Sequence, residues 1–93
     1  MKNYSYPLDL DWTSQEMATV IRFFNAVESA YESRVDRQEV LDAYRAFKEI
    51  VPRKNEEKQL GRAFEERSGY SCYRVVQAAR QSDRPTISMP EKR

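Results

Sequence analysis

Apolar and polar positions change period along this chain. Tyr4, Tyr6, Leu8 and Leu10 alternate with Ser5, Pro7 and Asp9, and Pro7 lacks an N–H, so residues 1–12 read as an extended arm rather than a helix. Tyr6, Leu8 and Leu10 are expected to fold back onto the helices. From Met17 the spacing becomes three and four. Val20, Ile21, Phe24, Val27 and Tyr31 form a continuous stripe, widened by Phe23, Ala26 and Ala30. Thr13-Ser14-Gln15-Glu16 matches a capping box, with Trp12 and Met17 at the two positions of a hydrophobic staple. The first helix is placed at about 14–32.

The same grammar recurs. Asp36 is the expected N-cap of a second helix at about 37–51, with Glu39 three residues on and Val35 and Val40 as its staple. Val40, Leu41, Tyr44, Phe47, Ile50 and Val51 make its inner face, and Pro52 ends it. A third helix at about 54–68 carries a thin apolar face of Leu60, Ala63 and Phe64, and Gly61 weakens it by about 1 kcal/mol relative to Ala. Gly69 suits the left-handed residue that closes a helix. A fourth helix at about 72–82 starts after Ser71 and presents Cys72, Tyr73, Val75, Val76 and Ala79. Residues 83–93 contain two prolines and no periodicity, so they read as a mobile tail. The prediction is an all-α fold: a compact array of four helices in one domain, 1–82, with an extended N-terminal arm and a flexible tail, 83–93.

Several segments together resemble the YktA-like family, short uncharacterised proteins of Gram-positive bacteria. They are Tyr6-Pro7-Leu8-Asp9-Leu10-Asp11-Trp12-Thr13, Phe23-Phe24-Asn25-Ala26-Val27-Glu28, Phe47-Lys48-Glu49-Ile50-Val51-Pro52, Phe64-Glu65-Glu66-Arg67-Ser68-Gly69-Tyr70-Ser71 and Tyr73-Arg74-Val75-Val76-Gln77. The resemblance spans about 4–80. It implies a small all-helical domain with no assigned activity, and it supplies no site residues. Arg53 stands where such proteins tend to carry a small polar residue.

Composition narrows the chemistry. Among 93 residues there is no His and one Cys, so imidazole bases, His-ligated metals, internal disulfides and cysteine-based zinc sites are excluded. Cys72 would sit in the first turn of the fourth helix, where the dipole lowers a thiol pKa, but packing as a small hydrophobe is the plainer role. The acidic pairs Glu28 and Glu32, Glu56-Glu57 and Glu65-Glu66 lack the His that helical di-metal sites use, and they read as solvated faces and ion pairs. Asp9 and Asp11 beside Trp12 are a weak cation signal, with helix-entry chemistry the plainer reading. No cofactor or metal is expected, and the protein is read as not an enzyme.

The N-terminal dozen residues carry no apolar run suited to a signal peptide, and no stretch is long enough to span a bilayer, so a cytoplasmic location without membrane contact is expected. The net charge is +1, divided into −2 over residues 1–71 and +3 over 72–93. Eleven aromatic residues exceed what a thin four-helix core must hold. Tyr4, Tyr6, Tyr70 and Tyr73 are therefore the candidate interface, clustering where the arm meets the fourth helix, with burial of large ring area to compensate for a small core as the plainer alternative. The function expected is a non-catalytic protein-interaction or regulatory module whose partner is an unidentified protein or a second copy. The alternative is nucleic-acid binding by a helix-turn-helix-like pair, the third and fourth helices, with contacts from Arg74, Gln77, Arg80 and Gln81; the near-neutral total charge argues against it.

Overall fold

In a computed structural model, which describes residues 4–90, four helices follow one another: α1 (Ser14–Glu32), α2 (Arg37–Ile50), α3 (Lys54–Ser68) and α4 (Cys72–Gln81). Each begins and ends where local chemistry directs. The capping box of α1 is complete: the Glu16 N–H donates to Thr13 Oγ1 at 3.1 Å, and the Thr13 N–H donates to Glu16 Oε1 at 2.9 Å. Ser71 Oγ accepts from the Arg74 N–H at 3.2 Å and caps α4. Gly69 ends α3 with φ 84°, a conformation that a Cβ would strain. Arg53 occupies the N-cap of α3 without a side-chain hydrogen bond.

Asp36 departs from the expected cap. It stands at the N-cap position of α2 but makes no side-chain cap bond. Its backbone belongs instead to a short antiparallel ladder, β1 (Val35–Asp36) with β2 (Thr86–Ile87), which pairs Val35 with Ile87 and Asp36 with Thr86. The orphan N–H of Arg37 finds the Pro85 carbonyl at 2.8 Å, so the returning chain does what a side-chain cap would do.

This ladder narrows the segment expected to be a mobile tail. Ile87 is buried, the Met89 N–H donates to the Ala30 carbonyl at 2.7 Å, and Ser88 Oγ donates to the Ser33 carbonyl at 3.0 Å. The chain is thus docked on the end of α1 as far as Met89, and residues 91–93 lie outside the described residues. Helical periodicity cannot register a two-residue strand, which is why 86–89 looked featureless.

The core is built on ring stacking. Phe23 and Phe24 of α1 face opposite partners: Phe23 stacks on Phe47 of α2 at 4.7 Å, and Phe24 stacks on Phe64 of α3 at 4.4 Å with only 8° between planes. Val20, Val27, Val40, Ala43, Val75 and Ala79 fill the space around them. Such ring pairs add about 0.5–1.5 kcal/mol each beyond the area they bury. On α3 the buried residues are Phe64 and Ser68, so this helix hangs largely on one ring.

The arm crosses α1 and α3. Tyr6 stacks on Phe24 at 5.7 Å, Tyr4 meets the edge of Phe64 at 6.1 Å, and an Arg67 guanidinium N–H donates to the Ser5 carbonyl at 2.9 Å. Leu8 packs on the core, as expected. Leu10 does not: it is 90% exposed. The Trp12 N–H donates to the Asp9 carbonyl at 3.1 Å, and the Asp11 N–H to Asp9 Oδ1 at 2.9 Å, closing a turn that points Leu10 away from the helices.

Candidate functional site

The weak apolar face of α3 leaves a cleft of about 370 Å³ between it and the α2–α4 side of the array. The floor is aromatic and aliphatic: Phe23, Phe24, Phe47 and Val76 reach it from three helices. On one wall, α3 contributes Lys54, Lys58 and Arg62, spaced i, i+4, i+8 and therefore in one row. Gly61 stands beside that row, and a Cβ built on it would meet no atom within 4 Å beyond the adjacent residues and backbone of its own helix. On the other wall, α4 contributes Tyr73, Gln77 and Arg80, again one helical face.

The electrostatics are uneven. Glu57 is already engaged: Lys48 Nζ lies 2.6 Å from its Oε1, and the Tyr44 hydroxyl donates to its Oε2 at 2.7 Å. Burial pushes the Glu57 carboxyl up, but hydrogen bonds from Lys48 and Tyr44 outweigh it and hold the group below the ordinary range. Burial, then the neighbouring Glu57, raise Tyr44 to about 12. The Arg80 guanidinium lies 5.4 Å above the Tyr44 ring, where the ring face attracts it. Lys54, Lys58 and Arg62 have no carboxylate within 4.0 Å among the described residues. Glu65 is the other acid on the rim, so the lip is cationic on balance.

Cys72 opens α4 at the inner edge of the cleft and is half-buried. Its thiol is pushed up, first by burial and then by Glu65 and Glu57, so the helix dipole does not activate it. Among the described residues no group of three His, Cys, Asp or Glu side chains could hold a metal ion. What the arrangement offers is recognition: an apolar floor, a cationic lip and an amide.

The four candidate interface tyrosines divide. Tyr4 and Tyr6 both donate to the buried Glu28 carboxylate, Tyr6 at 2.9 Å. Tyr70 is buried, stacks on Tyr31 at 4.7 Å and donates to Glu32 Oε2 at 2.8 Å. These three line up along Glu28 and Glu32, one turn apart on α1, and fasten the arm and the α3–α4 connection to it. Burial, then their carboxylate partners, raise Tyr6 and Tyr70 to about 12. Tyr73 stands apart on the lip of the cleft, 72% exposed. Of the residues expected to touch nucleic acid, Gln77 and Arg80 face the cleft, while Arg74 and Gln81 are exposed outside its lining. The row Lys54, Lys58 and Arg62 was not singled out from sequence, and Gly61 was read only as weakening its helix, not as opening space beside that row. Their signal was legible, a cationic row flanked by a glycine with no turn to make, but it reads the same as an ordinary solvated face.

Comparison with known proteins places the chain among relatives. A family model described as an uncharacterised protein family, UPF0223, matches residues 3–88. A UPF0223 protein of Streptococcus gordonii is 57% identical over 88 residues, covering 95% of this chain and 96% of its own length. One from Streptococcus pneumoniae strain CGSP14 is 56% identical with the same coverage. No described helix is long and apolar enough to cross a membrane.

Proposed function

This chain belongs to the uncharacterised UPF0223 family, and from that premise we propose that it is a non-catalytic protein-interaction module that docks a partner in the cleft between α3 and α4. The narrower likeness to YktA-like proteins belongs to the same reading, as does a cytoplasmic, reducing location suited to a lone cysteine. The observation that carries the docking function is the cleft itself: a ring-lined floor with an exposed Tyr73 and unpaired cations on its lip. Tyr and Arg around a desolvated centre are the residue types that supply most binding energy at protein interfaces. The volume, about 370 Å³, is enough for a few partner side chains rather than a large ligand.

The interface read from the four tyrosines thus contracts to Tyr73, the others supporting the fold behind it. Nucleic-acid binding receives less support, because Arg80 is committed to the Tyr44 ring and the α4 contacts split between the cleft and the outer surface.

Affinity capture from the host's own lysate tests the proposal. The wild-type chain, a Tyr73→Ser variant and an Arg62→Glu variant are compared, each with its helical circular dichroism checked. A specific protein retained by wild type and lost by both variants is expected. Identical capture by all three would remove the cleft as the docking surface.

A further inference from the structure

Among the described residues, two large hydrophobic side chains are left exposed: Tyr73 at 72% and Leu10 at 90%. Tyr73 marks the cationic cleft. Leu10 sits at the tip of an acidic turn, between Asp9 and Asp11, both exposed. The two features are complementary in charge, and neither Leu10 nor its aspartates line the cleft of their own chain.

We infer that the occupant of the cleft is the Asp9-Leu10-Asp11 turn of a second copy of this chain. The inference rests on the docking function proposed above and names its partner. The turn is preorganised. Asp9 accepts from the Asp11 N–H through Oδ1 and from the Trp12 N–H through its carbonyl, which holds Leu10 outward before any contact is made. A knob already fixed in its bound form loses little conformational freedom on docking. Leu10 would enter beside the exposed Tyr73 ring and the open wall at Gly61, above the buried side chains of Phe23, Phe47 and Val76. Asp9 keeps one carboxylate oxygen free and Asp11 both, and they would meet Lys58 and Arg62, which have no carboxylate of their own within 4.0 Å among the described residues. Every copy carries one knob and one cleft, so two copies form a closed pair when the contact is made in both directions at once.

Sedimentation velocity over a wide protein concentration range, at low and at high salt, tests this. The wild-type mass rises towards that of two copies, and salt opposes it because the contact is partly electrostatic. Leu10→Ser, Asp11→Lys and the double change Lys58→Glu with Arg62→Glu each weaken association by about tenfold or more. All of these positions are exposed, so the variants keep the fold, and circular dichroism verifies this. An equimolar mixture of the Asp11→Lys chain and the Lys58→Glu, Arg62→Glu chain restores association, because the reversed knob then meets a reversed cleft. A wild type that stays monomeric at every concentration, or that associates equally well as Leu10→Ser, overturns the inference. If that monomer still loses a captured protein on Tyr73→Ser, only the self-pairing is overturned and the docking function stands.

Discussion

Gly61→Ala separates the stability of α3 from the use of the cleft. Glycine within a helix costs about 0.8–1.0 kcal/mol relative to alanine, through backbone entropy in the unfolded chain. Substitution usually recovers this only where the added methyl fits. Here the Cβ meets nothing within 4 Å, so neither a clash nor a packing gain offsets the backbone term. The expected change is a stabilisation of about 0.5–1 kcal/mol. With an unfolding entropy of about 2.1 cal/mol/K per residue, a chain of 93 residues gains roughly 3–5 °C in Tm. Urea unfolding followed by circular dichroism should show a higher midpoint with an unchanged slope. A larger side chain behaves differently. Gly61→Phe projects into the cleft and should abolish docking while leaving Tm at or above wild type. A drop in stability with Gly61→Ala would refute the reasoning, because it would mean that α3 does not run helically through position 61 with open space beside it.

Three further outcomes follow from the same structure. Phe64→Ala removes the ring on which α3 hangs and should cost about 3–5 kcal/mol, with amide exchange in α3 accelerating before that in α1; uniform acceleration would show that α3 is held otherwise. Tyr6, Tyr44 and Tyr70 hold their protons to about 12 in the folded chain, whereas unfolded tyrosine ionises near 10. Their stabilising contribution is therefore complete below about pH 10 and is lost as pH rises towards about 12, so the urea midpoint should fall over that window, less steeply in Tyr6→Phe and Tyr70→Phe. Cys72, its thiol raised by burial, should react with a thiol reagent far more slowly than a free cysteine at neutral pH and at the ordinary rate in urea; equal rates in both would place it in a solvated, activated setting.

What the sequence revealed and what it hid have physical reasons. Thr13 with Glu16, Ser71 and Gly69 act on backbone groups within a few residues, so their bonds could be read from spacing alone and the helix limits followed. Asp36 looked like an equally good cap, but its backbone is held in a ladder with Thr86 and the neighbouring Arg37 N–H donates to Pro85, 48 residues away in the chain, and nothing local announces that. Leu10 continued an alternating pattern, yet two hydrogen bonds from a turn at Asp9 reverse its direction. The aromatic excess was legible as a count and not as a placement. Tyr4, Tyr6 and Tyr70 were drawn to the acids of α1, whereas Tyr73, one helical turn from Gln77 on α4, was left on the cleft. Tyr73, Gln77 and Arg80 were singled out from the α4 sequence, but a cleft assembled from four helices has no local signature, so their association with Lys54, Lys58 and Arg62 surfaced only when the fold brought them together.

The central claim is that the cleft between α3 and α4 is where this protein is touched. The most direct measurement places a photo-crosslinking residue at position 73 on the lip, and in a second chain at exposed Arg45 on α2, outside the cleft lining, and irradiates both in living cells. A discrete crosslinked product from position 73, absent from position 45 and lost when Gly61→Phe fills the cleft, is the predicted result. Crosslinks of equal yield from both positions, or a product at position 73 that persists with the cleft filled, would contradict it.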